Sequence, residues 1–318
     1  MSTTTPTATP IAKPRQRVGD RVFSSSALTA GTLILALLAL VAGFLVLEGI
    51  PGVLAEPSDV SIYEGRYDFA SFVVPLIFGT LWSAAIALVL ALPLAIAIAL
   101  FISHFAPRRV AAFLGYVMDL LAAVPSVVFG LWGANVLAPA MQPVFVWLFE
   151  NLAWIPLFEG PPSGTGRTIL TAAVVLAVMI LPIITAISRE VFLQTPPLYE
   201  EAALALGATR WEMIRTVVLP FGRPGIISGA MLGLGRALGE TMAVAMVLSA
   251  SGVITFNLIS SVNPSTIAAN VALRFPEAYG INVNVLIATG LILFAITLVV
   301  NSIARYIVNR RKDFSGAN

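Results

Sequence analysis

The chain has no cysteine, one histidine and two lysines, and only 11% of its 318 residues are charged. Without cysteine there is neither a disulfide nor a thiolate metal site. His104 by itself does not make a histidine metal site. Lys13 and Lys312 lie near the chain ends and neither follows a glycine. The glycine-rich loop with a lysine that cradles nucleotide phosphates is therefore missing. Work driven by ATP would need ATP and Mg2+ on another chain, and no cofactor, metal or catalytic residue is expected on this one. A soluble domain carries about 25% charged residues. The shortfall, together with 58% hydrophobic types, turns most of the surface toward something other than water.

What is abundant is apolar sequence in long runs. A spanning helix needs about 20 mostly apolar residues, and lipid forces the backbone to satisfy its own hydrogen bonds. Six stretches qualify: about 27–47, 75–102, 110–137, 168–187, 225–249 and 285–308. The third contains Asp119, Pro125 and Ser126, and the proline predicts a kink. The first run is longer than the core of a signal peptide and lacks a prompt small-residue cleavage site, so it is expected to be retained. The fold class is all-α and polytopic. Residues 1–26, rich in Thr, Pro and Arg, read as a mobile tail.

Charge sets the orientation. With the N-terminus inside, cytoplasmic segments hold 14 Lys and Arg and outer segments hold three: Arg66, Arg167 and Arg274. The positive-inside bias predicts cytoplasmic N- and C-termini. The second outer loop, with Trp147 and Trp154, reads as interfacial. In the third, Asn263-Pro264 predicts the start of a short helix ending near Phe275.

The loop between the fourth and fifth runs, 188–224, reads as two short helices. Thr195, with Pro196 and Pro197 behind it, is expected to start the first, Glu200 and Glu201 suit its N-terminal dipole, and Gly207 stops it. Thr209 with Glu212 spells a capping box for the second, which Pro220 is expected to end. An ordinary hairpin, a nucleic-acid motif and a docking element for a protein groove all have this shape. No basic recognition face is present, so no nucleic-acid partner is expected.

Glu201-Ala202-Ala203, Gly207 six positions after Glu201, and Leu219-Pro220 resemble the coupling loop of binding-protein-dependent ABC importer permeases. Val217 stands where that motif usually has isoleucine. The resemblance implies an importer permease core formed by spans two to six, with this loop seated on a separate dimer of ATP-binding subunits.

The fifth run carries Arg236 and, four residues on, Glu240 followed by Thr241. Arginine at mid-membrane costs about 2.5–3.5 kcal/mol on insertion scales. Helical spacing sets both charges on one side. Two readings stand: an internal ion pair that neutralises itself, or a pair lining the path of a charged substrate. A guanidinium fork suits a tetrahedral oxyanion, and a carboxylate accepts a proton from hydrogen phosphate but repels sulfate. Gly225, Gly229 and Gly233, and again Gly235 and Gly239, form small-residue ridges for close helix contact.

Gly235-Arg236-Ala237-Leu238-Gly239-Glu240-Thr241 is similar to the fifth-span motif of phosphate importer permeases, and Val124–Gly133 to their third-span motif. The match is to the PstC type and runs from the first span onward. It implies a bacterial inner-membrane subunit that moves inorganic phosphate inward by alternating access, with Arg236, Glu240 and Thr241 on the pathway. Asp119 and Ser126 read as pathway or structural residues. Implied partners are a PstA-type sibling permease, the ATPase dimer, an extracytoplasmic phosphate-binding protein and membrane lipid. The resulting division is a cytoplasmic tail at 1–26, a transmembrane domain at 27–308 and a C-terminal tail at 309–318. Rival readings are a sulfate or molybdate permease, an ion-driven secondary transporter, and a signalling scaffold without transport.

Overall fold

A computed structural model describes residues Val18 to Lys312, with side chains to Tyr306. Twelve α-helices occur among them: α1 (Val18–Val53), α2 (Phe69–Leu100), α3 (Arg108–Ala122), α4 (Ser126–Trp132), α5 (Ala138–Leu152), α6 (Ile169–Leu193), α7 (Pro197–Ala205), α8 (Arg210–Met213), α9 (Leu219–Leu238), α10 (Met242–Val247), α11 (Ile267–Arg274) and α12 (Ile281–Lys312). The described residues contain no strand beyond an isolated bridge, Ala250 with Asn263. Among the described residues six helical segments are long and apolar enough to cross a membrane. Residues up to Leu47 form one unit and those from Glu48 another. In the first, α1 is exposed on every side from Gly19 to Val41. It starts at Val18, so residues 18–26 are helical rather than tail, with Asp20 in the first turn. The expected tail before them and the last six residues lie outside the described residues.

In the second unit small residues decide the packing. Ala84, Ala87, Ala91, Ala95 and Ala99 recur every three or four positions on α2 and are almost fully buried. On α9, Gly225 lies against Val191, Gly229 against Ile187, and Gly233 against Ile184 and Ile180, all of α6. The glycine ridge thus lets two backbones approach. The continuation through Gly235 and Gly239 packs on nothing of the kind: Gly235 faces open space.

Three sequence expectations change. The run 110–137 is not one span. Pro125 holds extended backbone and excludes Val124 from the helical region, so α3 ends at Ala122 and the spanning segment is Ser126–Leu152. That segment continues past Pro139 by way of a π-turn at Gly133–Leu137. Pro220 does not end the second loop helix. Helix runs from Arg210 to Leu238, because a π-turn at Ile214–Val218 precedes the proline and a widened turn relieves the clash of its ring with the preceding carbonyls. The fifth span therefore ends at Leu238, and Gly239 to Thr241 separate it from α10.

The third loop differs as well. Asn263 is no helix cap. Its amide accepts from Ile169 N–H (3.0 Å) and donates to the carbonyls of Ser249 and Ser260 (both 3.1 Å), completely buried. Thr266 caps α11 instead.

Candidate functional site

Arg236 sits in the last turn of α9, not at its middle. It faces a cleft of about 770 Å³ lined also by Ile183 of α6, Ser228 and Gly235 of α9, and Asn301 and Arg305 of α12. Its Nε–H is buried and has no hydrogen-bond partner. A buried donor left unmade costs about 1–3 kcal/mol, and more for a charged group. The guanidinium is thus a cation on the wall of a largely apolar cleft, with one buried donor unused. Arg305 brings a second cation to the same cleft. Sequence reading had counted it with the cytoplasmic charges, and no local pattern ties position 305 to position 236.

Glu240 is only 8% exposed. Because the helix breaks between them, the four-residue spacing does not pair it with Arg236. Among the described residues the ion pairs of arginine are Arg66–Glu64 and Arg274–Glu64, and His104 lies beside Glu200. Glu240 Oε1 instead accepts the Ala243 N–H at 3.1 Å, satisfying an orphan donor at the start of α10. Thr241 begins that helix without a side-chain cap. A self-neutralising Arg236–Glu240 bridge is therefore absent.

The third-span motif packs on α10, the helix that follows the fifth-span motif. Gly130 and Gly133 of the third-span motif lie against Ala243, Met246 and Val247 of α10, and Gly133 also against Val175 of α6. Any larger residue at either glycine would push α10, and with it Glu240, out of place. Ser126 opens α4 just after the Pro125 break. Asp119 is exposed on α3, on a separate helix rather than inside a span. Neither is brought to the Arg236 cleft.

At the other end of α9 lies the two-helix loop. α7 closes in a Schellman turn: Ala208 N–H donates to Ala203 O (3.1 Å), Gly207 N–H to Leu204 O (3.0 Å), and Gly207 has φ +91°. The Thr209–Glu212 capping box is formed in both directions, at 2.7 and 3.3 Å. Glu201 and Ala202 are exposed, as are Leu198, Leu204 and Leu206, while Ala203 packs on a cluster of Ala99, Leu100, Phe192, Met213 and Val218. His104 Nε2 lies 3.5 Å from Glu200 Oε1, joining the end of α2 to α7. Leu219 and Pro220 lie at the start of α9, directly above the π-turn.

Residues 91–313 match the family of the binding-protein-dependent transport system inner membrane component. The chain belongs to this family. The permease is 44% identical over 301 residues to the phosphate transport system permease protein PstC 2 of Mycobacterium tuberculosis, covering 92% of each chain. It is 44% identical to PstC of Mycobacterium leprae, over 92% of this chain and 94% of that one. PstC of Mesorhizobium japonicum is 43% identical over 247 residues, 76% of this chain and 74% of that one. The permease thus groups with the PstC type. Its fold is that of a solved bacterial importer of the polysaccharide alginate, with TM-score 0.60 at 16% identity over 93% and 99% of the two chains. The methionine transporter MetNI in an inward-facing conformation gives 0.55 at 16% identity over 75% and 95%. The permease is a multi-pass bacterial inner-membrane protein, and its relatives are transport subunits rather than enzymes.

Proposed function

We infer that the permease is the membrane-spanning subunit of an ATP-driven importer of inorganic phosphate. The observation that carries the reading is Arg236: a guanidinium that lines the cleft and keeps a buried, unpartnered donor, in a chain whose relatives are named for phosphate transport. A hydrogen bond from a cation to an anionic oxygen is roughly twice as strong as a neutral one. An oxyanion arriving in the cleft supplies the acceptor that Nε–H lacks.

The 14-to-3 bias of Lys and Arg supports cytoplasmic termini, which puts α7 inside the cell. There its exposed Leu198, Leu204 and Leu206 offer an apolar face to a groove on an ATPase subunit. ATP and Mg2+ then belong to that subunit dimer. A loaded binding protein docks on the outer loops, and a PstA-type sibling completes the path. Arg210 to Arg236 is about 39 Å of helix at ~1.5 Å per residue. A tilt imposed on α7 and α8 by the ATPases reaches Arg236 along one continuous helix, so the cleft opens to each side in turn.

Glu240 refines the choice of anion. Ionised, it repels sulfate, whereas hydrogen phosphate can donate a proton to it. Uptake of radiolabelled phosphate by vesicles bearing the full complex, with sulfate or molybdate added in excess, tests the substrate. Undiminished phosphate uptake is expected, and strong competition by sulfate or molybdate would move the assignment to that anion.

A further inference from the structure

A second basic pocket lies at the end of the bundle opposite α7. It has a volume of about 200 Å³ and is lined by Arg66, Arg274, Glu64, Phe72, Ser251 and Asn270, among others. Both guanidinium carbons stand over the Phe72 ring, at 5.8 and 6.0 Å from its centroid. Two cations share this opening with one carboxylate. Glu64 takes Arg274 Nη2 at 2.7 Å and lies 4.0 Å from Arg66, so one positive charge remains uncompensated.

Loop bracing uses only part of the guanidinium donor set. Arg66 donates to the carbonyls of Tyr63 and Gly252, both at 3.3 Å. Arg274 donates to Ile62 O at 3.2 Å and to Glu64. Each guanidinium has five N–H donors, which leaves three on each. The independent observation is Asn270, 7% exposed, whose Oδ1 is buried without a partner. Oδ1 is the buried end of that amide, and no hydrogen bond ties its NH2 group, which is the end available to an anion. A buried amide lining a basic pocket with no partner is a group waiting for one.

We propose that this pocket receives an inorganic tetrahedral oxyanion before it reaches Arg236. The volume corresponds to roughly seven waters at about 30 Å³ each, enough for one such anion and part of its hydration shell and too little for a peptide. The pocket wall at Ala250 to Gly252 follows α10 in the chain, and Glu240 precedes α10, so one six-residue helix lies between this wall and Glu240 in sequence. The proposal rests on the import reading in taking phosphate as the anion and Arg236 as its next stop.

The absence of cysteine makes the test direct. Ser251→Cys in the full complex is the sole thiol on this chain, and its labelling by an anionic methanethiosulfonate reports occupancy of the pocket. The complex is held in nanodiscs of zwitterionic lipid, without ATP or binding protein, so that no anionic headgroup supplies the same chemistry. Phosphate at its dissociation constant slows labelling about twofold by mass action, while chloride at equal ionic strength does not. Asn270→Leu, which breaks no hydrogen bond at the site, abolishes the protection with thermal unfolding unchanged. Equal protection by chloride, or protection that survives Asn270→Leu, would overturn the proposal. A complex that imports phosphate yet shows no protection removes this pocket and leaves the import reading standing.

Discussion

Arg236, Glu240 and Asn263 illustrate how a polar group is handled once buried. Asn263 spends its amide on three backbone partners that join the start of α6 to the loop after α10. Asn263→Ala leaves those groups short, at about 1–3 kcal/mol for a buried group without a partner, and a lower unfolding temperature of the assembled complex checks this. Glu240→Gln keeps an oxygen for the Ala243 N–H and removes the charge. If Glu240 discriminates between anions, sulfate begins to compete for uptake in that variant while assembly is unchanged; unaltered rejection of sulfate limits Glu240 to its role at the start of α10. Asp68 behaves differently. Its carboxylate accepts the Ser71 N–H at 2.7 Å, and that hydrogen bond holds its pKa below the usual carboxylate value. The contribution to the start of α2 is therefore complete at neutral pH and fades as pH falls through the lowered pKa. Slowed exchange of the Ser71 amide, after correction for intrinsic rate, should disappear in acid.

Among the elements, the loop carrying α7 and α8 was legible because its signals are local. Gly207, Thr209 and Glu212 dictate a turn and a cap whatever the rest of the chain does. Gly207→Ala meets no neighbouring atom, so its cost is the left-handed backbone alone, about 1–2 kcal/mol. Uptake should fall more than ATP hydrolysis, because the turn that holds α7 to α9 is loosened; equal losses would mean that the complex simply assembles less. The spans were less legible where proline met continuous apolar sequence. Hydropathy joins 110 to 137 without a gap, yet Pro125 divides it. Pro220 looks like a stop and is not, because the π-turn before it absorbs the strain. Helical spacing likewise fails for Arg236 and Glu240, since the helix ends between them. The glycine ridge read correctly, because Gly225, Gly229 and Gly233 all meet α6. Gly229→Leu forces a side chain between α9 and α6, and overpacking of about 1–3 kcal/mol should appear as reduced assembly in detergent.

For the whole molecule, composition was enough to give a polytopic helical fold, and the motifs gave the family. Neither gave the cleft, which needs α6, α9 and α12 together and brings Arg305 beside Arg236 across 69 positions of sequence. On the proposed function, α9 links the ATPase-facing loop to a cation on the substrate path. This link is tested most directly by ATP-dependent uptake of radiolabelled phosphate in vesicles with the full complex, comparing the native chain with Arg236→Gln after equal assembly is shown. Loss of uptake with ATP hydrolysis retained is the expected result. Uptake at the native rate in Arg236→Gln would contradict the account and make Arg236 a structural residue.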